Sequence, residues 1–375
     1  MLKILHLADM HLDSRFSGVP MSEAAKRMQQ LRNVFSDALS LAKSEGCSVV
    51  LISGDLFDSE YYTADTLEFL RDSFASAPDI RFIIAPGNHD PYGQATPYRL
   101  GAFPENVYVF DSEELTSFDF PELGLSVYGY AFTSAVYSKN PLEGKAPLDS
   151  SRYNVLCAHT ALETGTSPYA PMSARDIADF GIDYAALGHI HTSPEIGKAG
   201  MTVYAFSGCI AGRDHSEYGE KGGIIVTLDE KDGKKEVTAE RVRLCPWVYR
   251  TEQLDVTGVS DGDALTALIK EKIDALDKTE GVEYIIRLRL TGEIKCDISP
   301  EALTEELRDR GVAEIVNETV SYFGLEELMK DYSLRGEFFR TLKPGLESED
   351  AEERRIAQMA LKLGIAALNG FELEI

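Results

Sequence analysis

Five short apolar runs in this chain each end on a carboxylate, an amide or an imidazole, and that repetition restricts the fold more than any other feature. Lys3–Ala8 delivers Asp9-Met10-His11. Ser48–Ile52 runs into Ser53-Gly54-Asp55-Leu56-Phe57-Asp58. Phe82–Ala85 is stopped by Pro86-Gly87 and followed by Asn88-His89-Asp90. Tyr153–Ala158 ends on His159-Thr160, and Tyr184–Leu187 on Gly188-His189-Ile190-His191. Continuous apolar runs of this length read as strands buried on both faces. Between the first three lie amphipathic stretches, 22–45 and 63–77, so the order is strand, helix, strand, helix, strand. A right-handed parallel sheet follows. In such sheets the crevice beyond the carboxyl ends of the strands holds the chemistry.

Five of the seven histidines fall in these motifs. If extended, Asp9 and His11 share one side of the chain, as do His189 and His191. His6, inside the first run, reads as a packed core histidine. Collected, Asp9, His11, Asp55, Asn88, His159, His189 and His191 supply carboxylate, amide oxygen and imidazole. That mixture makes two N/O sites sharing a bridging Asp. It suits two divalent ions, Mn²⁺, Fe²⁺ or Zn²⁺ over Mg²⁺. Two such ions can clamp a phosphate and activate a water, while a nearby non-ligand His protonates the leaving alkoxide.

The ordered set Asp-x-His, Gly-Asp, Gly-Asn-His-Asp, His and Gly-His-x-His resembles the calcineurin-like metallophosphoesterases over roughly residues 1–245. The resemblance implies an α/β/β/α two-sheet sandwich and makes Mn²⁺ the expected metal. It puts Asp9, His11 and His191 on one metal and Asn88, His159 and His189 on the other, with Asp55 bridging. His89 would be the proton donor, with Asp90 as its orienting partner. Within the family, HLADMHLDS, SGDLFD, PGNHDPY and the segments after them resemble the SbcD-like DNA-repair exonuclease subunits. That likeness implies a DNA exo- or endonuclease, a separate SbcC-like coiled-coil ATPase docking on the C-terminal helices, and a homodimer. No Walker A sequence is present in the chain. Some family members carry His where this chain has Asp58.

The expected organisation is a catalytic domain at 1–245, a small α/β cap at 246–300 and a helical segment at 301–375 that could dock a partner. Thr202–Phe206 and Gly223–Leu228 read as strands of a second, more antiparallel sheet. In Ala351–Leu368 the apolar stripe is Ile356, Met359, Ala360, Leu363 and Ala367. The five cysteines are scattered and form no Cys-x-x-Cys pair, so they read as buried hydrophobes in a reducing compartment. No run is long enough for a membrane span, and the first residues lead straight into a strand, so a cytoplasmic protein is expected.

Charge supplies the counter-argument. With 37 basic and 62 acidic residues the net charge is −25, unsuited to coating a polyanion. DNA would have to meet a local basic rim, for which Arg15, Arg99, Arg213 and Lys221 are candidates. Arg15, Arg213 and His215 are candidate substrate contacts. A phosphodiesterase or phosphatase for small substrates is the alternative enzyme. A scaffold or regulatory subunit with a structural metal centre is the alternative of another class.

Overall fold

The computed structural model describes residues 1–14, 21–58, 62–93, 96–100, 102–146, 148–162, 166–321 and 325–368. The chain forms two compact units, Met1–Tyr249 with Gly281–Glu283, and Arg250–Glu280 with Tyr284–Ile375.

In chain order the first unit contains β1 (Leu2–Leu7), α1 (Met21–Ser44), β2 (Val49–Ile52), α2 (Ala64–Ala75), β3 (Arg81–Ile84), α3 (Pro97–Leu100) and β4 (Val107–Val109). There follow β5 (Thr116–Phe120), β6 (Leu125–Gly129), β7 (Tyr153–His159), α4 (Ala174–Phe180), β8 (Tyr184–Gly188), β9 (Gly197–Ala199), β10 (Thr202–Phe206), β11 (Gly222–Lys231) and β12 (Lys234–Arg243). One six-stranded sheet has the order β12-β11-β1-β2-β3-β4 and the other β5-β6-β7-β8-β10-β9. The strands β1 to β4 run parallel, as do β6, β7, β8 and β10. This is the mixed α/β two-sheet architecture expected.

Two details differ from the sequence reading. Thr202–Phe206 does enter the second sheet, but parallel to β8. Gly222–Lys231 instead joins the first sheet, antiparallel to β1, with Ile4 opposite Val226. An apolar run does not disclose which of two stacked sheets will receive it.

The layers follow from side-chain alternation. Val155 and Cys157 of β7 face a core between the sheets with Ile4, Leu51, Ile83, Ala186 and Val226. Their neighbours Leu156 and Ala158 face the opposite way, onto Ile177 and Phe180 of α4. The buried stripe of α1 includes Leu31, Val34, Phe35, Ala38, Leu39 and Ala42, with Phe35 meeting Phe74 of α2 edge-on. Thr63 caps α2 by accepting from the Thr66 amide. Each fully buried Val, Leu or Ile contributes about 1.5–3 kcal/mol. A core of this extent can carry left-handed backbone at Asp9, His11, Asp55 and His189, which have φ of 49°, 45°, 50° and 105°.

The second unit contains most of β13 (Trp247–Asp255) and β14 (Glu283–Thr291), whose first residues are counted with the first unit, and α5 (Gly262–Asp274), β15 (Glu293–Ile294), α6 (Pro300–Leu307), β16 (Val312–Asn317) and β17 (Val320–Ser321). Its three-stranded sheet has the order β13-β14-β16, so it draws in chain past residue 300. Three helices end the described chain, α7 (Leu325–Lys330), α8 (Leu334–Leu346) and α9 (Ala351–Leu368). In α9 the packed positions are Ala357 and Leu361, while Ile356 and Met359 are 58% and 53% exposed. Of the apolar stripe read from the sequence, Ile356, Met359 and Ala367 are exposed while Ala360 and Leu363 are half-buried. Among the described residues no helix is long and apolar enough to cross a membrane.

Candidate metal centre

Tight backbone at the strand ends brings the motifs together. The Asp9 amide donates to the Gly54 carbonyl at 3.0 Å and the His11 amide to the Asp55 carbonyl at 2.9 Å. The His189 amide donates to Asp9 Oδ1 at 3.0 Å, and the His89 amide to Asp55 Oδ1 at 2.9 Å. Glycine is required where these segments cross. A Cβ on Gly54 would lie 2.3 Å from His159 Nδ1, and one on Gly188 only 1.8 Å from the Ser53 oxygen.

The result is a buried cluster with two sides. Asp9, His11, Asp55 and His191 bring donor atoms within 4.8 Å of one another. His11 Nε2 faces His191 Nε2 at 3.2 Å and Asp55 Oδ2 at 3.7 Å. On the other side His159 Nε2 lies 3.3 Å from Asp55 Oδ2 and 3.0 Å from Asn88 Oδ1. The His189 ring centroid is 5.2 Å from that of His159 and 4.4 Å from that of Tyr169. The backbone is bent at Asp9, His11 and His189 rather than extended. His189 and His191 consequently part, one ring going to each side, contrary to the extended reading.

The other nitrogen of three of these rings meets an oxygen. His159 Nδ1 is 3.0 Å from the Ser53 carbonyl, His191 Nδ1 is 2.8 Å from Glu217 Oε1, and His11 Nδ1 is 3.3 Å from Asp58 Oδ1. A proton on Nδ1 satisfies each pair and leaves the Nε2 lone pairs pointing at one another and at carboxylate oxygens. Metal-binding histidines commonly donate their other ring N–H to an oxygen in this way. Lone pair against lone pair is repulsive unless a proton or cation lies between, so the donor set fits divalent cations.

The electrostatics agree. Burial works against charge on His159, yet Asp55 and Asp9 outweigh it and push the imidazole up to about 9. A proton there takes the part that a cation would. Burial lowers His11, against the hydrogen bond to Asp58. Burial raises Asp9, while for Asp55 the burial penalty is overcome by His159 and the carboxyl lies well below its usual range.

His89 is 50% exposed, and its Nδ1 meets Asp58 Oδ1 at 2.9 Å. Asp90 was the expected partner and is not. Its fully buried carboxylate turns inward, accepting from the amides of Gly87 at 2.7 Å, Leu56 at 2.7 Å and Asp55 at 3.2 Å, and from the Tyr98 hydroxyl. It shapes the loop carrying Asp55. Burial and the Asp55 charge push Asp90 up to about 7, against these donors. The role given to Asp90 passes to Asp58, which stands in the Gly-Asp-Leu-Phe motif and was legible only as a departure from the His of some relatives.

Of the remaining candidates, Arg213 is turned inward. Its guanidinium meets Glu217 with Nε at 3.0 Å and Ser14 Oγ with Nη1 at 3.0 Å. Lys221 is 2% exposed and donates to the His191 carbonyl at 2.8 Å, so it is no part of a basic rim. His215 packs edge-on against Tyr249, with centroids 5.0 Å apart. Arg99 is exposed, and Arg15 lies outside the described residues. Sequence reasoning missed Glu217, which sits in the loop singled out for Arg213 and His215. His6 is a core residue, fully buried, with Nδ1 2.9 Å from the Tyr184 hydroxyl.

Residues 2–193 match the calcineurin-like phosphoesterase family, and the chain belongs to it. It is thereby a metal-dependent phosphoesterase by class. The Bacillus subtilis protein named uncharacterized metallophosphoesterase YhaO is 28% identical over 315 residues, 81% of this chain and 74% of that one. The Saccharolobus solfataricus DNA double-strand break repair protein Mre11 is 27% identical over 217 residues, 56% of this chain and 54% of its own. A component of the Staphylococcus epidermidis nuclease SbcCD is 23% identical over 255 residues, 60% of this chain and 65% of its own. The chain thus spans about half the length of the second relative and just under two thirds of the third.

Proposed function

We propose that this chain is a two-metal phosphodiester hydrolase acting on DNA, with Asp9, His11 and His191 holding one ion, Asn88, His159 and His189 the other, and Asp55 shared. The observation that carries this reading is the set of Nε2 atoms of His11, His159 and His191 converging on two buried carboxylates, Asp55 and Asp9. Bound there, two divalent cations, Mn²⁺ foremost, supply Lewis acidity toward a phosphate and acidify a water. His89, its Nδ1–H held by Asp58, offers its other nitrogen at the exposed rim as proton donor to the leaving alkoxide. DNA as substrate is supported by relatives named for nuclease and break-repair roles. A partner ATPase chain on residues 301–375 is supported by the outward Ile356 and Met359.

A small phosphodiester is the second reading, and one observation favours it. Arg213 and Lys221 are turned into the protein, which weakens the basic rim on a chain of net charge −25. A screen of Mn²⁺, Fe²⁺ and Zn²⁺ against linear DNA, hairpin DNA and a chromogenic phosphodiester separates the two. DNA cleavage is expected. DNA left intact beside rapid turnover of the chromogenic ester would transfer the assignment to the small substrate. His89→Ala should keep its metal content by elemental analysis and lose about 10²–10⁴-fold in turnover.

A further inference from the structure

The loop from Cys209 to Lys221 grips His191 by its backbone and by its ring. The His191 carbonyl accepts from Lys221 Nζ at 2.8 Å and from the Cys209 amide at 3.2 Å. The ring meets Glu217, which is 3% exposed. Oε2 of Glu217 accepts from the Arg213 amide at 2.7 Å, and its carboxylate takes Arg213 Nε at 3.0 Å, while Oε1 lies 2.8 Å from His191 Nδ1.

The plain account is that Glu217 only neutralises Arg213. Two distances argue for more. The Glu217 contact to His191 Nδ1 is shorter than that of Arg213 Nη2 to the same nitrogen, 3.2 Å, and only the carboxylate can accept a ring proton. Arg213 in turn donates from Nη1 to Ser14 Oγ at 3.0 Å, and Ser14 bonds to Asp58, the residue holding both His11 and His89.

We infer that Glu217 is a positioning residue of this centre: by accepting Nδ1–H it keeps the Nε2 lone pair of His191 directed at Asp9 and His11, and Arg213 joins that setting to Ser14 and Asp58. The inference rests on the two-cation reading above. Its chemistry is that of an outer-shell partner, whose loss costs 10- to 100-fold in metal affinity.

The test is calorimetric titration of full-length, chelator-stripped protein with Mn²⁺ alone. Wild type should take up two ions. Glu217→Gln should bind one as wild type does and the other roughly 10- to 100-fold more weakly. Wild-type affinity for both ions in the variant overturns the inference and leaves the two-cation reading standing. A wild type that binds no ion overturns both. Should the stripped variant fail to fold, ¹⁵N-histidine spectra of metal-free wild type decide instead. His191 protonated at Nδ1 supports the inference, and protonation at Nε2 overturns it.

Discussion

The two sides of the cluster are anchored by different means. His159 is held through backbone, its Nδ1 on the Ser53 carbonyl at 3.0 Å, with Gly54 packed against the ring. His11 and His191 are held through side chains, Asp58 and Glu217, contributed by loops. A backbone anchor comes with the sheet: β2 and β7 must pack as they do for Ser53 to meet His159. A side-chain anchor can be exchanged without displacing a strand, at the expense of the loop contacts it makes. The first side should therefore respond to mutation through stability and the second through chemistry.

Asp55 belongs to both sides, with Oδ2 3.7 Å from His11 Nε2 and 3.3 Å from His159 Nε2. Asp55→Asn should produce the largest effect, abolishing binding of both ions. Loss of phosphodiester turnover should exceed the roughly 100-fold ceiling of an outer-shell partner. Elemental analysis after dialysis and a chromogenic assay read the two. A folded variant without activity excludes the scaffold reading, whereas one with full activity would show that the two sides work independently.

Gly54→Ala strikes the backbone-anchored side first, because the new side chain would meet His159, while the Gly54 carbonyl also holds the Asp9 amide. Its φ is +90°, and the new Cβ would lie 2.3 Å from His159 Nδ1. Overpacking of this kind costs about 1–3 kcal/mol, occasionally more, before the backbone strain is added. The melting temperature of metal-free protein should fall by several degrees. If it held steady while activity vanished, the backbone anchor would be no more structural than the side-chain ones.

The same division explains what the sequence discloses. The candidate ligands stand at the ends of apolar runs, so strand pattern reveals Asp9 and His159, and a terminating glycine adds to it at Asp55, Asn88 and His189. Orienting partners do not share that pattern. Glu217 lies in an irregular loop, and the Asp90 next to His89 in sequence points inward while Asp58 makes the contact. Periodicity also misleads where small residues pack. In α9 the face against α8 includes Gly364, where a Cβ would lie 2.2 Å from Phe338 Cε1, and Leu361. The larger Ile356 and Met359 stay outside while Ala360 and Leu363 of the same stripe are half-buried, so a hydrophobicity reading places the packed face partly out of register. Left-handed φ at Asp9, His11 and His189 is equally silent in sequence, since each is a non-glycine residue forced there by its surroundings.

The smallest expected change isolates chemistry from binding on the side-chain-anchored side. His89 is raised from its ordinary range first by its hydrogen bond to Asp58, with Asp55 and the Asp58 charge adding to it against burial. A proton donor must be protonated to act, so turnover should be level below the His89 pKa and fall as pH rises through it. Asp58→Asn removes the anion that favours imidazolium, so this alkaline limb should move to lower pH. Below the limb, turnover should be reduced only to the extent that His11 loses its anchor at 3.3 Å. A pH profile of kcat with Mn²⁺ held saturating makes the measurement. A limb that stays put, or moves upward, would mean that some group other than His89 delivers the proton, and the exposed imidazole would then belong to substrate binding instead.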